Sequence, residues 1–330
     1  MIVDVHAHYT QAPPQLDAFR GWQVSQQNKP SKRKLAISDE QIATSLEGNL
    51  RQMSERRIDR LMFSPRASGM GHDFGNALVS RYWSEVNNDL ISRACRLFPD
   101  QLSPVCQLPQ SPGVSPREYV DELDRCVNDL GFVGCNINPD VSGGVAPFTP
   151  SLGDEWWYPL WERMVALDVP GMIHASSTLN PAMHVNGSHF IAWDVAAVVE
   201  LCSSRVFEDF PKLKLVIPHG GGAVPFQFSR YRALHALAGQ KPFEEVVHNL
   251  YFDLAVYDRE AMELIIRMIG SDRVLFATEM FGTAQAIDPK TNRGFDDTVE
   301  MVESINWLPE ADRYNIFEGN ARRLYSRVKW

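Results

Sequence analysis

The chain has 330 residues, of which 44% are hydrophobic and 22% charged, and its formal net charge is -9. This composition is ordinary for a globular protein with enough apolar residues for a large core. The acidic balance argues against a nucleic-acid-binding surface, because no basic run is longer than Lys32-Arg33-Lys34. A small anionic substrate still fits, provided that arginines gather locally against the overall charge.

Three features of the sequence bear on location. The N-terminal apolar run is only four or five residues long and lacks a basic flank, so it is too short for a signal peptide. No segment approaches the roughly 18 apolar residues of a membrane span. The cysteines never show Cys-x-x-Cys spacing and are typical of reduced core thiols; they are Cys95, Cys106, Cys126, Cys135 and Cys202. We therefore expect a cytoplasmic protein without a membrane partner.

Short apolar runs rich in β-branched residues alternate along the chain with longer amphipathic segments. The predicted strands cover residues 2–6, 60–64, 102–108, 131–136, 171–174, 213–218, 250–254 and 273–277. The predicted helices cover residues 39–57, 76–98, 116–130, 156–167, 193–210, 225–237 and 259–269, with a helical C-terminal region at 296–327. Eight such units favour a closed (β/α)8 TIM barrel of the α/β class over an open sheet.

Two long connections, residues 11–38 and 138–154, each follow a predicted strand. Long loops after the strands mark the functional face of a parallel barrel, so we expect both to be loop insertions over the active site. No internal repeat and no linker interrupts the pattern. The prediction is therefore a single barrel domain over residues 1–330.

Polar residues end several predicted strands: His6 and His8 the first, His174 the fifth, and Glu279 the eighth. Residues two apart in a strand face the same side, so His6 and His8 are expected to share one interior. Three imidazoles and a carboxylate suit a borderline divalent ion, of which zinc is preferred while manganese and iron stay open. Satisfied core histidines are the alternative for the first pair. The pattern predicts a metal site at the C-terminal face of the strands.

His219 ends the sixth predicted strand and is followed by three glycines, residues 220–222. The glycines allow backbone to approach a ligand closely. Because one metal rarely needs a fifth protein ligand, we predict that His219 is a catalytic acid or base. Metal ligation and a structural role are the alternatives.

Arginines indicate the charge of the substrate. Arg66 follows the second strand, and Arg230 and Arg232 follow the glycine run. Guanidinium groups bind carboxylates in bidentate fashion, so three of them near one barrel mouth predict a di- or tricarboxylate. Each could instead be solvated or ion-paired. Arg230 and Arg232 also point in different directions on a helix, so one of them alone could reach the site.

Other side chains are weaker candidates for substrate contacts. Ser68 and Ser176 can supply hydroxyl groups, and His184 and His189 lie in the loop after the fifth strand, where substrate contact and solvent exposure are both open. The aromatic cluster at residues 156–161 is typical of a core or an interface. We expect a homo-oligomer, a dimer or larger.

Several segments together resemble the amidohydrolase superfamily: VDVHAH at 3–8, His174, PHGGG at 218–222 and GNARRL at 319–324. The resemblance spans nearly the whole chain. Within the superfamily it is to the branch that contains the aminocarboxymuconate-semialdehyde decarboxylases and related lyases. Most of that branch has Asp where this chain has Glu279. A Glu there is similar to the 4-oxalomesaconate hydratases, as are FSPRAS at 63–68, LPQSPGV at 108–114 and IDP at 287–289.

The resemblance implies a zinc-dependent hydratase, a hydro-lyase of aromatic catabolism, that adds water to an unsaturated oxo-tricarboxylic acid after cleavage of the gallate or protocatechuate ring. Glu279 would also take the proton of water, and His219 would act on the carbon side. Phe190 stands near a position where the hydratases are expected to carry a polar aromatic residue. Non-oxidative decarboxylation of a related acid and metal-dependent hydrolysis of a lactone or amide are the alternatives.

Overall fold

The computed structural model describes residues 1–183, 185–282 and 284–330, so the candidate His184 lies outside the described residues. Within them, eight parallel strands pair in chain order from β1 to β8. The strands are β1 Val3–Tyr9, β2 Arg60–Pro65, β3 Leu102–Gln107, β4 Gly134–Ile137, β5 Gly171–Ile173, β6 Leu215–Ile217, β7 Leu250–Asp253 and β8 Val274–Leu275. A short antiparallel pair, β9 Ile287–Asp288 and β10 Arg293–Gly294, was not predicted.

Hydrogen bonds between the first strand and the segment that contains the last one close the sheet. The Val5 amide donates to the Phe276 carbonyl at 3.1 Å, and the His8 amide donates to the Met280 carbonyl at 3.0 Å. The prediction of a (β/α)8 barrel is confirmed.

Helices cover the outside of the barrel and follow most of the predicted segments. They are α1 Gln15–Ser25, α2 Asp39–Glu55, α3 Ala77–Leu97, α4 Val120–Asp124, α5 Tyr158–Leu167, α6 Ser188–Cys202, α7 Val206–Asp209, α8 Phe228–Leu237, α9 Phe243–Val246, α10 Arg259–Ile269, α11 Val299–Glu303, α12 Glu310–Tyr314 and α13 Asn320–Leu324. In the described part of the chain, none of them combines the length and apolarity needed to cross a bilayer.

Side-chain caps explain where the long helices begin. Ser38 starts α2 with a reciprocal cap, in which its hydroxyl accepts from the Gln41 amide and the Gln41 side chain accepts from the Ser38 amide. Asn76 and Asp258 cap α3 and α10 in the same position. Such caps satisfy amides that have no partner within the helix, and each stabilises it by about 1 kcal/mol.

The segment 11–38 was predicted as a loop, and that prediction is wrong for residues Gln15–Ser25, which form α1. The density of proline, glutamine and lysine hides an amphipathic pattern there. Phe19 and Gln23 are the buried side chains of the helix, and Phe19 packs with Met70 and Trp83. One helix therefore rests against the loop after β2. The segment 138–154 contains no helix or strand among its residues, all of which are described.

A bulge in β1 turns its histidines into the barrel. Val3 and Val5 belong to the apolar cluster inside the barrel, whereas Ala7 belongs to the cluster between sheet and helices. Strict alternation would place Ala7 with the valines, but the register between β1 and β2 shifts between Asp4 and Ala7. Such a bulge reverses the side on which later residues point. His6 and His8 consequently continue the interior above the valines.

His72, in the loop after β2, joins this loop to the loop after β3. Its ring is buried, and Nδ1 lies 3.1 Å from the Gln110 carbonyl oxygen. Burial lowers the pKa of His72 to about 4, from an ordinary value of 6.5. The folded protein therefore keeps this imidazole neutral in a pH range where the unfolded chain protonates it.

We expect this histidine to make the protein less stable in mild acid. Between pH 6.5 and 4 the unfolded state binds a proton that the folded state does not. Lowering the pH through this range therefore reduces the free energy of unfolding by up to roughly 3 kcal/mol. Asn at position 72 does not titrate and can donate to the same carbonyl. Denaturant unfolding at pH 7 and pH 4.5 should show a smaller decrease in the free energy of unfolding for His72→Asn than for the unmodified chain. Equal decreases would contradict the role of His72 in the loss of stability.

Candidate metal centre and active site

The ends of strands from opposite sides of the barrel bring the predicted metal ligands together. His6 Nε2 lies 3.1 Å from His8 Nε2, and His8 Nε2 lies 3.3 Å from His174 Nε2. Ligand atoms of His6, His174, His219 and Glu279 also all lie within 4.8 Å of one another. The four residues predicted from the sequence as ligands thus meet in one cluster, and His219 adjoins it.

The hydrogen bonds of the three imidazoles determine their tautomers. His6 Nδ1 contacts the Asp253 carboxylate at 2.8 Å, and His174 Nδ1 contacts the Ala175 carbonyl at 2.8 Å. Both partners can only accept, so Nδ1 carries the proton in each ring. His8 Nδ1 lies 2.9 Å from the hydroxyl of Ser64, which has carbonyl oxygens within reach as acceptors for its own proton. Each ring therefore directs an Nε2 lone pair at the other two.

This arrangement fits a cation. Burial lowers the pKa of His8 to about 3 and that of His174 well below its usual value, so neither ring is charged at neutral pH. If all three Nε2 atoms carry lone pairs, separations of 3.1 and 3.3 Å are repulsive. A positive ion among them removes that repulsion, and outward Nδ1–H bonds are how metal-ligating histidines are normally oriented. The donor set of three imidazoles and a carboxylate suits a divalent transition-metal ion.

His219 and Glu279 belong to a second polar chain beside the imidazoles. His219 Nδ1 lies 2.9 Å from Asp194, and its Nε2 lies 3.6 Å from Glu279 Oε2. Burial alone lowers the pKa of His219, but the carboxylates of Asp194 and Glu279 outweigh it and raise the pKa well above its usual value. The hydroxyl of Tyr257 donates to Glu279 Oε2 at 2.8 Å. A protonated imidazole can act as a general acid, and the carboxylate beside it can act as a general base.

A cavity of about 280 Å³ opens beside the cluster. Its lining includes His8, His174 and Glu279, together with Phe190, Arg66 and Ser68. Arg66 Nε donates to the Ser68 hydroxyl at 3.0 Å, and both residues are exposed. A larger groove of about 660 Å³ lies among α6, α7 and α9. None of the strand-end polar groups lines that groove, so the smaller cavity is the candidate substrate site.

Four other candidates are not among the residues that line this cavity. The Ser176 hydroxyl accepts from the Gly71 amide at 3.1 Å, and His189 Nε2 contacts the Ser176 carbonyl at 2.7 Å, so these contacts join the loop after β5 to the loop after β2 and to α6. Arg232 pairs with Glu244 at 3.0 Å, and Arg230 is exposed on α8 as well. Both arginines lie beyond the glycine turn, on a helix surface, and the structure does not bring them to the cluster.

The family of the chain follows from a comparison with known proteins. The amidohydrolase family model matches residues 3–327. The chain belongs to the amidohydrolase family. This amidohydrolase is 42% identical over 332 residues to a 2-keto-4-carboxy-3-hexenedioate hydratase of Sphingobium sp., an alignment that covers 99% of this chain and 97% of the relative. It is also 28% identical over 257 residues to a gamma-resorcylate decarboxylase of Rhizobium sp., covering 72% of this chain and 74% of that relative.

A solved structure of a hydratase is also closely similar to this amidohydrolase in its fold. The crystal structure of a 4-oxalomesaconate hydratase from Rhodopseudomonas palustris has a TM-score of 0.91 and is 40% identical, covering 99% of this chain and 96% of that one. The resemblance to hydratases noted in the sequence is thereby confirmed.

Sequence reasoning missed three carboxylate and hydroxyl partners of this amidohydrolase. Asp253, at the end of β7, is hydrogen-bonded to His6. Asp194, on α6, is hydrogen-bonded to His219, and the Tyr257 hydroxyl donates to Glu279. Asp253 could have been found, because it follows apolar residues at a strand end and a buried carboxylate needs a partner. Asp194 and Tyr257 carry no comparable signal, because their roles depend on which strand end they approach.

Proposed function

We propose that this amidohydrolase is a metal-dependent hydratase in the catabolism of aromatic compounds, adding water to the C=C bond of an unsaturated oxo-tricarboxylic acid of the 4-oxalomesaconate type. The observation that supports this most is the near full-length likeness to two hydratases, at 42% and 40% identity. The cavity beside the cluster supplies groups that suit this reaction. We further propose zinc as the metal, a cytoplasmic location and a homo-oligomer.

The chemistry follows from the substrate of the Sphingobium relative, 2-keto-4-carboxy-3-hexenedioate. Its C3=C4 bond is conjugated with the C2 carbonyl, so C4 is the electrophilic carbon. The oxygen of water bonds to C4, one O–H bond of that water breaks, and the π electrons move towards the C2 carbonyl as an enolate. A proton then bonds to C3, so the reaction is neutral in atoms and electrons.

Residues of this chain meet each requirement. Glu279 is a carboxylate at the edge of the cavity, with its pKa held well below its usual value because His219 outweighs the effect of burial. It accepts the proton of water, and His219, held by Asp194, donates a proton to the carbon side or stabilises the enolate. A divalent ion held by His6, His8, His174 and Glu279 would supply a Lewis-acid charge that lowers the pKa of water beside it towards neutrality.

A direct assay tests this function. The purified, metal-analysed protein is mixed with 4-oxalomesaconate, and the absorbance of the conjugated enone, the product mass and carbon dioxide are followed. A product one water heavier than the substrate, without gas release, is expected. Carbon dioxide release would place the chain with the decarboxylases, and a lack of reaction would show that the cavity serves a different acid.

Arg66 is the only arginine among the described residues that line the cavity, and we expect it to bind a substrate carboxylate. Charged hydrogen bonds contribute about 1.5–3 kcal/mol, so Arg66→Ala should raise KM by roughly 10–100-fold with a smaller change in kcat. Arg66→Lys keeps the charge but loses the planar guanidinium group, so its KM should lie between those of the unmodified chain and Arg66→Ala. The exposed Arg205, which pairs with Glu208 on the outer surface, provides the control Arg205→Ala. An unchanged KM for Arg66→Ala would contradict this role.

A further inference from the structure

Tyr257 follows β7 and contacts Glu279, although it is not among the residues that line the cavity. We propose that Tyr257 is a positioning residue, which fixes the carboxylate of Glu279 for metal binding and for proton transfer. The second of these roles rests on the proposed function. The first does not, because it concerns the metal site alone.

The contact holds one specific oxygen of Glu279. The Tyr257 hydroxyl and His219 Nε2 both approach Oε2, at 2.8 and 3.6 Å. A carboxylate only accepts, so the phenol is the donor. Oε2 is therefore contacted by two side chains, which restrict the orientation of the carboxylate.

The backbone supports the same assignment independently. Tyr257 has φ +55°, and His219 and Glu279 have φ +51° and +55°. This left-handed conformation is unfavourable for residues other than glycine, and a tyrosine side chain cannot relieve it as asparagine can. The three residues follow the consecutive strands β6, β7 and β8. The fold thus retains the same strained backbone at three neighbouring strand ends, and all three side chains meet at Oε2.

The length of Glu279 explains why a positioning residue is needed. Glutamate has one more side-chain torsion than aspartate, so its carboxylate samples more orientations unless contacts restrict it. Both proposed roles of Glu279 require a defined orientation. Outer hydrogen-bond partners of metal ligands commonly have this effect, and their loss weakens metal affinity or activity by about 10–100-fold.

The substitution Tyr257→Phe tests the proposal, because it removes only the hydroxyl. Zinc affinity, measured by competition with a chromophoric chelator, should fall by roughly 10–100-fold. The visible spectrum of the cobalt-substituted protein should change in position or intensity, since it reports the arrangement of ligands around the ion. For the reaction, kcat should fall while KM stays within about twofold, because Tyr257 does not line the cavity.

Tyr251→Phe is the matched control. Tyr251 lies in β7 itself, and its hydroxyl accepts from Arg273 at 2.8 Å, away from the cluster. If Tyr257→Phe matches this control in zinc affinity, cobalt spectrum and kcat, the proposal is overturned. If zinc affinity and spectrum change although the unmodified protein hydrates no enone, the positioning role is supported and the proposed function fails.

A double-mutant cycle gives a second test that does not depend on one variant. Glu279→Asp withdraws the carboxylate from the Tyr257 hydroxyl. In that background, Tyr257→Phe should change zinc affinity by less than about twofold, because the contact is already lost. An effect of equal size in both backgrounds would mean that Tyr257 acts on the metal site by some route other than Glu279, and would overturn the proposal.

Discussion

Glu279→Gln should lower kcat for hydration by about 10²–10⁴-fold, the usual contribution of a general base. The amide has nearly the same size as the carboxylate and can still contact the Tyr257 hydroxyl. It cannot accept the proton of water, and it brings no negative charge to the cluster of His6, His8 and His174. Stopped-flow or steady-state loss of the enone absorbance measures the effect. Metal content must be determined on the same sample, so that loss of the ion is not read as loss of the base.

Glu279→Asp separates charge from length. It keeps a carboxylate but withdraws it from Tyr257 and His219, which approach Oε2 at 2.8 and 3.6 Å. An activity between those of the unmodified chain and Glu279→Gln is expected. Full hydratase activity of Glu279→Asp would show that the length of Glu279 has no part in the choice of reaction. Full activity of Glu279→Gln would contradict the proposed base.

The sequence predicted which strand-end side chains meet, because a parallel barrel places all strand ends at one face. His6, His8, His174 and Glu279 each end an apolar run, so the barrel alone predicts that they meet. The parity argument for His6 and His8 also proved correct, but it was incomplete. Val3 and Val5 face the same interior as these histidines, and only the register shift after Asp4 makes both statements true. A bulge of this kind has no reliable signature in a single sequence.

The remaining parts of the site depend on distances that a sequence does not contain. Asp194 lies 25 residues before His219, and only the packing of α6 against the glycine turn brings them together. Arg230 and Arg232 were predicted from their proximity in sequence to the glycine run, but they are not among the residues that line the cavity. The helix α8 begins at Phe228 and carries both onto an exposed surface.

Removal of the metal should abolish turnover and also destabilise the fold. Lewis-acid activation contributes several kcal/mol, so chelation should lower kcat by at least roughly a thousandfold, with recovery when zinc is returned. An ion present at a thousand times its dissociation constant stabilises the folded state by about 4 kcal/mol, so the melting temperature should fall on chelation. His174→Ala should lose both the activity and this sensitivity to chelator. His235→Ala is the control, because His235 is a buried imidazole on α8 that bonds to the Lys241 carbonyl. A chelated protein that keeps its rate would mean that the three converging lone pairs serve no metal in catalysis.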